Sequence, residues 1–148
     1  MINIRVVGLD PLIKRMDQHQ DKLNQGMQEA MTDSLLVMTE SVPGYPSPPE
    51  NSSYRRTGTL GRTLGSSVEG GKSGQPQIFS VTAIGGGWEG RFGTNLEYAP
   101  YVIGDGSQSK THQKRWWVLS DVAEKAAPKI ERVWQLLAAA IAKYLEGK

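Results

Sequence analysis

Cysteine is absent from the 148-residue chain. That single absence excludes disulfides, thiolate nucleophiles and thiolate metal sites together. Histidine is scarce: His19 and His112 are the only two, far apart in sequence. A metal site would therefore lean on carboxylates. These occur singly, mostly beside lysines on helical faces, where a solvated surface is the ordinary reading. No cofactor and no metal are expected. Long apolar runs are also missing. The longest covers residues 136–142, far short of the roughly eighteen that a membrane span requires. The opening MINIRVV has no basic region, apolar core or cleavage site of a signal peptide, so residence in a cytoplasm is expected. Excess charge is lacking as well. A net charge of +2 does not impose a nucleic-acid reading.

What is present is punctuated by 17 glycines and 8 prolines, and these breakers divide the chain into readable elements. Residues 2–7, INIRVV, alternate and are β-branched, which predicts a short strand. LDPLIKRM then opens a helix. Asp10 suits its N-cap, and Pro11 suits the first helical position, where no N–H is needed. Apolar side chains recur at Ile13, Met16, Leu23, Met27, Ala30 or Met31, Leu35 and Met38 in steps of three and four, with Gln20 interrupting once. The spacing predicts one amphipathic helix of about eight turns, closed by Pro43. Gly26 weakens it by roughly 1 kcal/mol relative to alanine. Such a helix runs on the order of 45 Å. That is more than a globule of this size covers comfortably, so part of the stripe is expected to face another chain.

Residues 41–56 are rich in proline and serine and read as a mobile loop. In RTGTLGRTLGSS, Thr57 is expected to cap a turn or two of helix bearing Leu60 and Leu64. EGGKSGQP is a flexible turn. QIFSVTAI predicts a strand with Phe79, Val81 and Ala83 on one face. GGG at 85–87 turns the chain, and WEGRF returns as a second strand with Trp88 and Phe92 on one face. Toward the end, Asp121 and Glu124 have capping-box spacing. Val122, Ile130, Val133 or Trp134, Leu137, Ile141 and Tyr144 or Leu145 again step by threes and fours. Pro128 is expected to kink this last helix, or to divide a short leading turn from a main helix over 128–146. The resulting class is α+β: one domain spanning 1–148, with a small antiparallel sheet packed against a long N-terminal helix and a C-terminal helix.

Several patterns that often carry chemistry fail their context tests. GGGWEG at 85–90 matches G-x-G-x-x-G, but that fingerprint needs a following helix to meet a phosphate, and here a strand follows. His19 lies inside the predicted helix and reads as a surface or partly packed residue. His112 has no partner pair that would make it a general base. A small hydrolase therefore has no assembled site. Two basic clusters remain. Arg55, Arg56 and Arg62 flank TGTLG, while Lys110, Lys114 and Arg115 precede Trp116 and Trp117. Base interleaved with aromatic suits a nucleic-acid groove. It equally suits a protein interface, whose anchors are enriched in Arg, Trp and Tyr. With net charge near zero, the interface reading leads.

The most unusual stretch is FGTNLEYAPYVIGDGSQS, rich in glycine and tyrosine and nearly free of charge. Together with YRRTGTLGRTLGSS, an intervening hairpin, a basic tryptophan-bearing turn and a final helix, it resembles the phage tail-component family typified by the tenth gene product of phage HK97. Members carry an Arg-Thr-Gly-x-Leu segment, matched here by Arg56, Thr57, Gly58 and Leu60. They also carry a Gly-Thr-Asn-x-x-Tyr-Ala-x-x-Val segment with a glycine soon after. Gly93, Thr94, Asn95, Tyr98, Ala99, Tyr101, Val102 and Gly104 match it. The order of elements corresponds over roughly 8–145, and the specific matches lie at about 54–67 and 92–109. Many members continue after that glycine with Thr and an aromatic or Pro. Here DGSQSKTHQKRWW is longer and more basic.

The resemblance implies a structural, non-enzymatic protein of a tailed phage or prophage. It would act in head–tail joining or tail completion, as a homo-oligomer, in a ring, with other tail or connector proteins as partners. Its place would be the virion, and the host bacterial cytoplasm during assembly. The family brings no catalytic residues. Gly93 and Gly104 suit tight turns, Asn95 is expected to end the strand by bonding nearby backbone, and residues 98–102 are expected to form a short helical turn. The candidate interface comprises Arg55, Arg56, Tyr98, Tyr101, Lys114, Arg115, Trp116 and Trp117, with 105–115 a mobile arm. Adjacent tryptophans tend to point different ways in a strand or a helix. One is therefore expected under the C-terminal helix, and the other exposed beside Lys114 and Arg115. The alternative is a nucleic-acid-binding module built on Arg55, Arg56, Arg62, Lys110, Lys114 and Arg115. DNA contact is secondary in the leading reading, and no membrane partner is expected.

Overall fold

The computed structural model describes residues 1–7, 20–46, 50, 51, 53, 57–65 and 74–145. Strand β1 (Ile2–Val7) forms where the alternation places it. Strands β2 (Ile78–Ile84) and β3 (Gly87–Gly93) form the expected hairpin. The two-residue turn between them puts Gly86 at φ 83, a left-handed conformation that costs glycine little. Both neighbours pair with β3 antiparallel, so the order is β1-β3-β2 and β3 is central. The register sorts the side chains. Ile2, Ile4 and Val6 share the inner face with Phe92, Gly90 and Trp88, and with Phe79, Val81 and Ala83.

Helices cover the centre of that inner face, as expected, while Phe79 and Ala83 at the β2 edge stay exposed. The first, α1 (Gln20–Ser41), lies over the centre of the sheet. A Cβ at Gly90 would stand 2.7 Å from Met31 Sδ and 3.1 Å from Leu35 Cδ2. The missing side chain is therefore what lets α1 come so close. The long C-terminal helix, here called αC (Leu119–Leu145), packs alongside α1. It runs antiparallel to it. Trp134 Nε1 donates to Ser34 Oγ at 3.1 Å, Leu137 reaches Gly26, and the Lys22 amine lies 4.8 Å from the Tyr144 ring centre. Ser34 is fully buried, and it donates to the Ala30 carbonyl at 2.7 Å while accepting from Trp134. One cluster joins Leu35, Met38, Leu60, Leu64, Phe92, Val102 and Val122. A second joins Leu23 and Met27 to Trp88, Trp134, Leu137 and Ile141.

Several expectations need correction. The apolar stripe of α1 from Leu23 to Met38 is buried within this chain, against αC at Leu23 and Met27 and against the sheet at Met31 and Leu35, while the Ile13 and Met16 part of the expected stripe lies outside the described residues. The expected start of that helix at Asp10 and Pro11 lies outside the described residues, as do His19 and residues 47–49, 52 and 54–56 of the 41–56 loop. Thr57 is not the N-cap of its helix. That short helix, α2 (Thr59–Arg62), is entered through Gly58 at φ 68, and Thr57 Oγ1 accepts from the Thr59 N–H one residue earlier, at 3.4 Å. Leu60 and Leu64 are buried as expected. Asp121 falls inside the first turn of αC rather than at its cap, since the helix already begins at Leu119. It also continues through Pro128 without dividing.

Candidate assembly surface

The Gly93–Ser109 stretch builds a packing corner. As β3 ends, the Thr94 hydroxyl lies 2.9 Å from that of Thr63 and 3.0 Å from Gln77 Oε1. Gln77 Oε1 also accepts the Asn95 N–H at 2.8 Å. The strand is thus ended chiefly by Thr94 and Gln77, with Asn95 contributing its backbone rather than its side chain. Thr63 and Thr94 belong to the two separate stretches that carry the family resemblance, so the fold brings those stretches into contact. A short helix follows, α3 (Ala99–Ile103). Ala99, Val102 and Ile103 face inward, while Tyr98 is 44% and Tyr101 61% exposed. Gly104 has φ −83, so its glycine is not needed for a left-handed turn. It is needed for space, because a Cβ there would collide with the Pro100 carbonyl and the Ser107 hydroxyl. Gly93 likewise sits at the end of a strand and not in a turn.

Residues 105–115, expected as a mobile arm, are wound into turns anchored to α3. The Ser109 N–H donates to the Tyr101 carbonyl at 2.8 Å. Gln108 Nε2 donates to the carbonyls of Val102 at 2.7 Å and Trp116 at 3.2 Å. Ser107 Oγ donates to the Pro100 carbonyl at 3.0 Å, and Ser120 Oγ donates to Asp105 Oδ1, tying the segment to αC. The serines and glutamine that suggested a loose arm supply these local bonds, which sequence alone does not pair.

His112 completes the latch. Its Nδ1 lies 3.1 Å from the Tyr101 carbonyl and 2.6 Å from Ser109 Oγ. With its hydrogen on Nδ1 the ring donates to the Tyr101 carbonyl, and with Nδ1 bare it accepts from the Ser109 hydroxyl; either way the contact ties residues 109–112 to α3. Among the described residues, no group of three His, Asp or Glu side chains could hold a metal ion.

The expected division of the tryptophan pair does not occur. Both Trp116 and Trp117 are half-buried and pack against the main core. Trp116 meets Tyr45 edge-on at 5.0 Å and His112 at 6.3 Å. The tight turns over 110–116, with Lys114 at φ 68, swing both rings inward. Neither the extended nor the helical geometry assumed from sequence applies. Lys114 and Arg115 are exposed, as are Tyr98 and Tyr101. Arg55 and Arg56 lie outside the described residues. An open groove of about 400 Å³ beside α3 is lined by Ile2, Leu96, Ile103 and Leu119, with Glu97 and Asp105.

One group escaped the sequence reading. Glu89, on β3, is 4% exposed although it points away from both long helices. Arg5 Nε donates to its Oε1 at 2.9 Å and Arg91 Nε to its Oε2 at 2.8 Å. First Arg5 and then Arg91 hold the carboxyl below its usual range, outweighing the desolvation that pushes it up. The signal available was the Glu-x-Arg spacing on one strand, which puts both residues on one face. The partner Arg5 depends on how β1 pairs, which no local pattern reveals.

Compared with models of known families, with curated proteins and with solved structures, the chain matches none. Among the described residues, no helix is long and apolar enough to cross a membrane.

Proposed function

We propose that this chain is a structural component of a tailed phage or prophage, acting in head–tail joining or tail completion. It assembles through protein–protein contacts with copies of itself, in a ring, and with other tail or connector proteins. The observation that carries the reading is the contact between the two resembling stretches. Thr63 and Thr94 join them at 2.9 Å, and the corner they make buries Leu60, Leu64, Ala99 and Val102 while leaving Tyr98 and Tyr101 outside. Exposed tyrosines on a rigid corner are the chemistry of a contact surface. The nucleic-acid alternative is weakened by the inward turn of Trp116 and Trp117, since stacking needs exposed rings among the cations.

Genes flanking this one should encode portal, capsid and tail proteins. Purified protein in sizing chromatography with light scattering should elute as a defined oligomer. Flanking genes of metabolic enzymes, with a monomer at every concentration, would count against the reading.

A further inference from the structure

The outer face of the sheet is a small grid set by register: Asn3, Arg91 and Ser80 in one row, Arg5, Glu89 and Thr82 in the next, Val7, Gly87 and Ile84 in the third. Both described long helices lie on the opposite side of the sheet, so among the described residues no helix covers this one. Glu89 engages the Nε of each arginine and fixes both guanidinium planes. The side chains of Arg5 and Arg91 remain 65% and 52% exposed, and Val7 beside them is 68% exposed. The face is therefore a preorganised pair of cations next to an apolar spot, with one net positive charge.

We propose that this face docks the exposed stripe of α1 on a second copy of the chain, head to tail. That stripe runs through Gln25, Glu29, Asp33, Leu36 and Glu40, all exposed. Helical spacing sets it opposite Met31 and Leu35, which face the sheet. After Lys22 the helix contains no Lys or Arg, so the stripe is acidic, with Leu36 47% exposed in its middle. Each surface thus offers an apolar spot beside charges of opposite sign. Arginine suits such a contact, because its fork recognises carboxylates. The two surfaces lie on opposite sides of the sheet–helix sandwich. Docking either one against its own copy would set like charges together, so the contact is heterologous and propagates or closes a ring. Nucleic acid fits the sheet face less well. One net positive charge gives little counterion release, and the grid has no aromatic ring for a base to stack on.

The inference rests on the self-assembly part of the function proposed above, and the experiment separates the two. Light scattering at low salt compares the full chain with Glu29→Lys/Asp33→Lys, which removes the acidic stripe, and with Arg5→Ala/Val7→Ser, which removes the sheet contact. Each variant alone should associate at least tenfold more weakly than the parent. Mixed together, they should form pairs and stop, because each retains the surface the other lacks. If the strand variant does not fold, the helix variant added to the parent should cap it and shorten its assemblies. A parent that oligomerises regardless of these changes overturns the assigned surfaces alone. A parent that stays monomeric overturns both the surfaces and the self-assembly reading.

Discussion

Glu89 owes its state to Arg5 and Arg91. Its carboxyl titrates below the ordinary range in the folded protein. The stability it contributes is therefore full above its unfolded pKa of about 4 and lost as pH falls through the lower folded value. Glu89→Gln should be less stable than the parent near neutrality, and the gap should close in acid. Urea unfolding at several pH values checks this; a gap that does not change with pH would deny the ion pairs their role. The tryptophans make a second test at this scale. Because both are half-buried in the core, Trp116→Ala and Trp117→Ala should each cost on the order of 2–4 kcal/mol, somewhat below the value for full burial. Unchanged melting for either one, with assembly lost, would return that ring to the interface. The inward turn of both was hidden in the sequence, because it depends on Lys114 adopting a positive φ and on Tyr45 arriving from another segment.

At the scale of elements, periodicity located the strands and helices well and their caps less well. The boundary of α2 depends on the left-handed turn at Gly58, and that of αC on where Leu119 enters the core. Such choices are made by backbone geometry and burial rather than by the nearest capping residue. Pro128 shows how context overrides a local breaker. It lacks the N–H that would donate to the Glu124 carbonyl, yet αC passes through it, held by packing of Val122, Ala126 and Ile130 on either side. Pro128 itself is exposed. Pro128→Ala should therefore restore the bond without disturbing the core and stabilise the protein by about 1–3 kcal/mol. A lowered melting temperature would mean that a bend at this position is needed for α1 and αC to fit.

For the whole molecule, the core is where the sheet, α1, α3 and αC meet around Phe92, which is completely buried. Phe92→Ala should cost about 3–5 kcal/mol in denaturant unfolding. A loss near zero would place the core elsewhere. Association through the sheet face and the acidic stripe should weaken as salt rises, since exposed charges are screened beyond about 8–10 Å at physiological ionic strength. Light scattering from low to high salt checks this, and assemblies indifferent to salt would point to an apolar contact instead.

The sequence by itself determined the class of fold: alternation wrote the strands, steps of three and four wrote the helices, and GGG wrote the hairpin. These are local signals, carried by residues within a few positions of one another. Tertiary structure decided what local signals cannot carry. Pairing β1 with β3 placed Arg5 beside Glu89, and winding the 105–115 segment against α3 set Ser109 and His112 on the Tyr101 carbonyl. Each of these joins residues distant in the chain, and their positions are fixed only when the whole core closes.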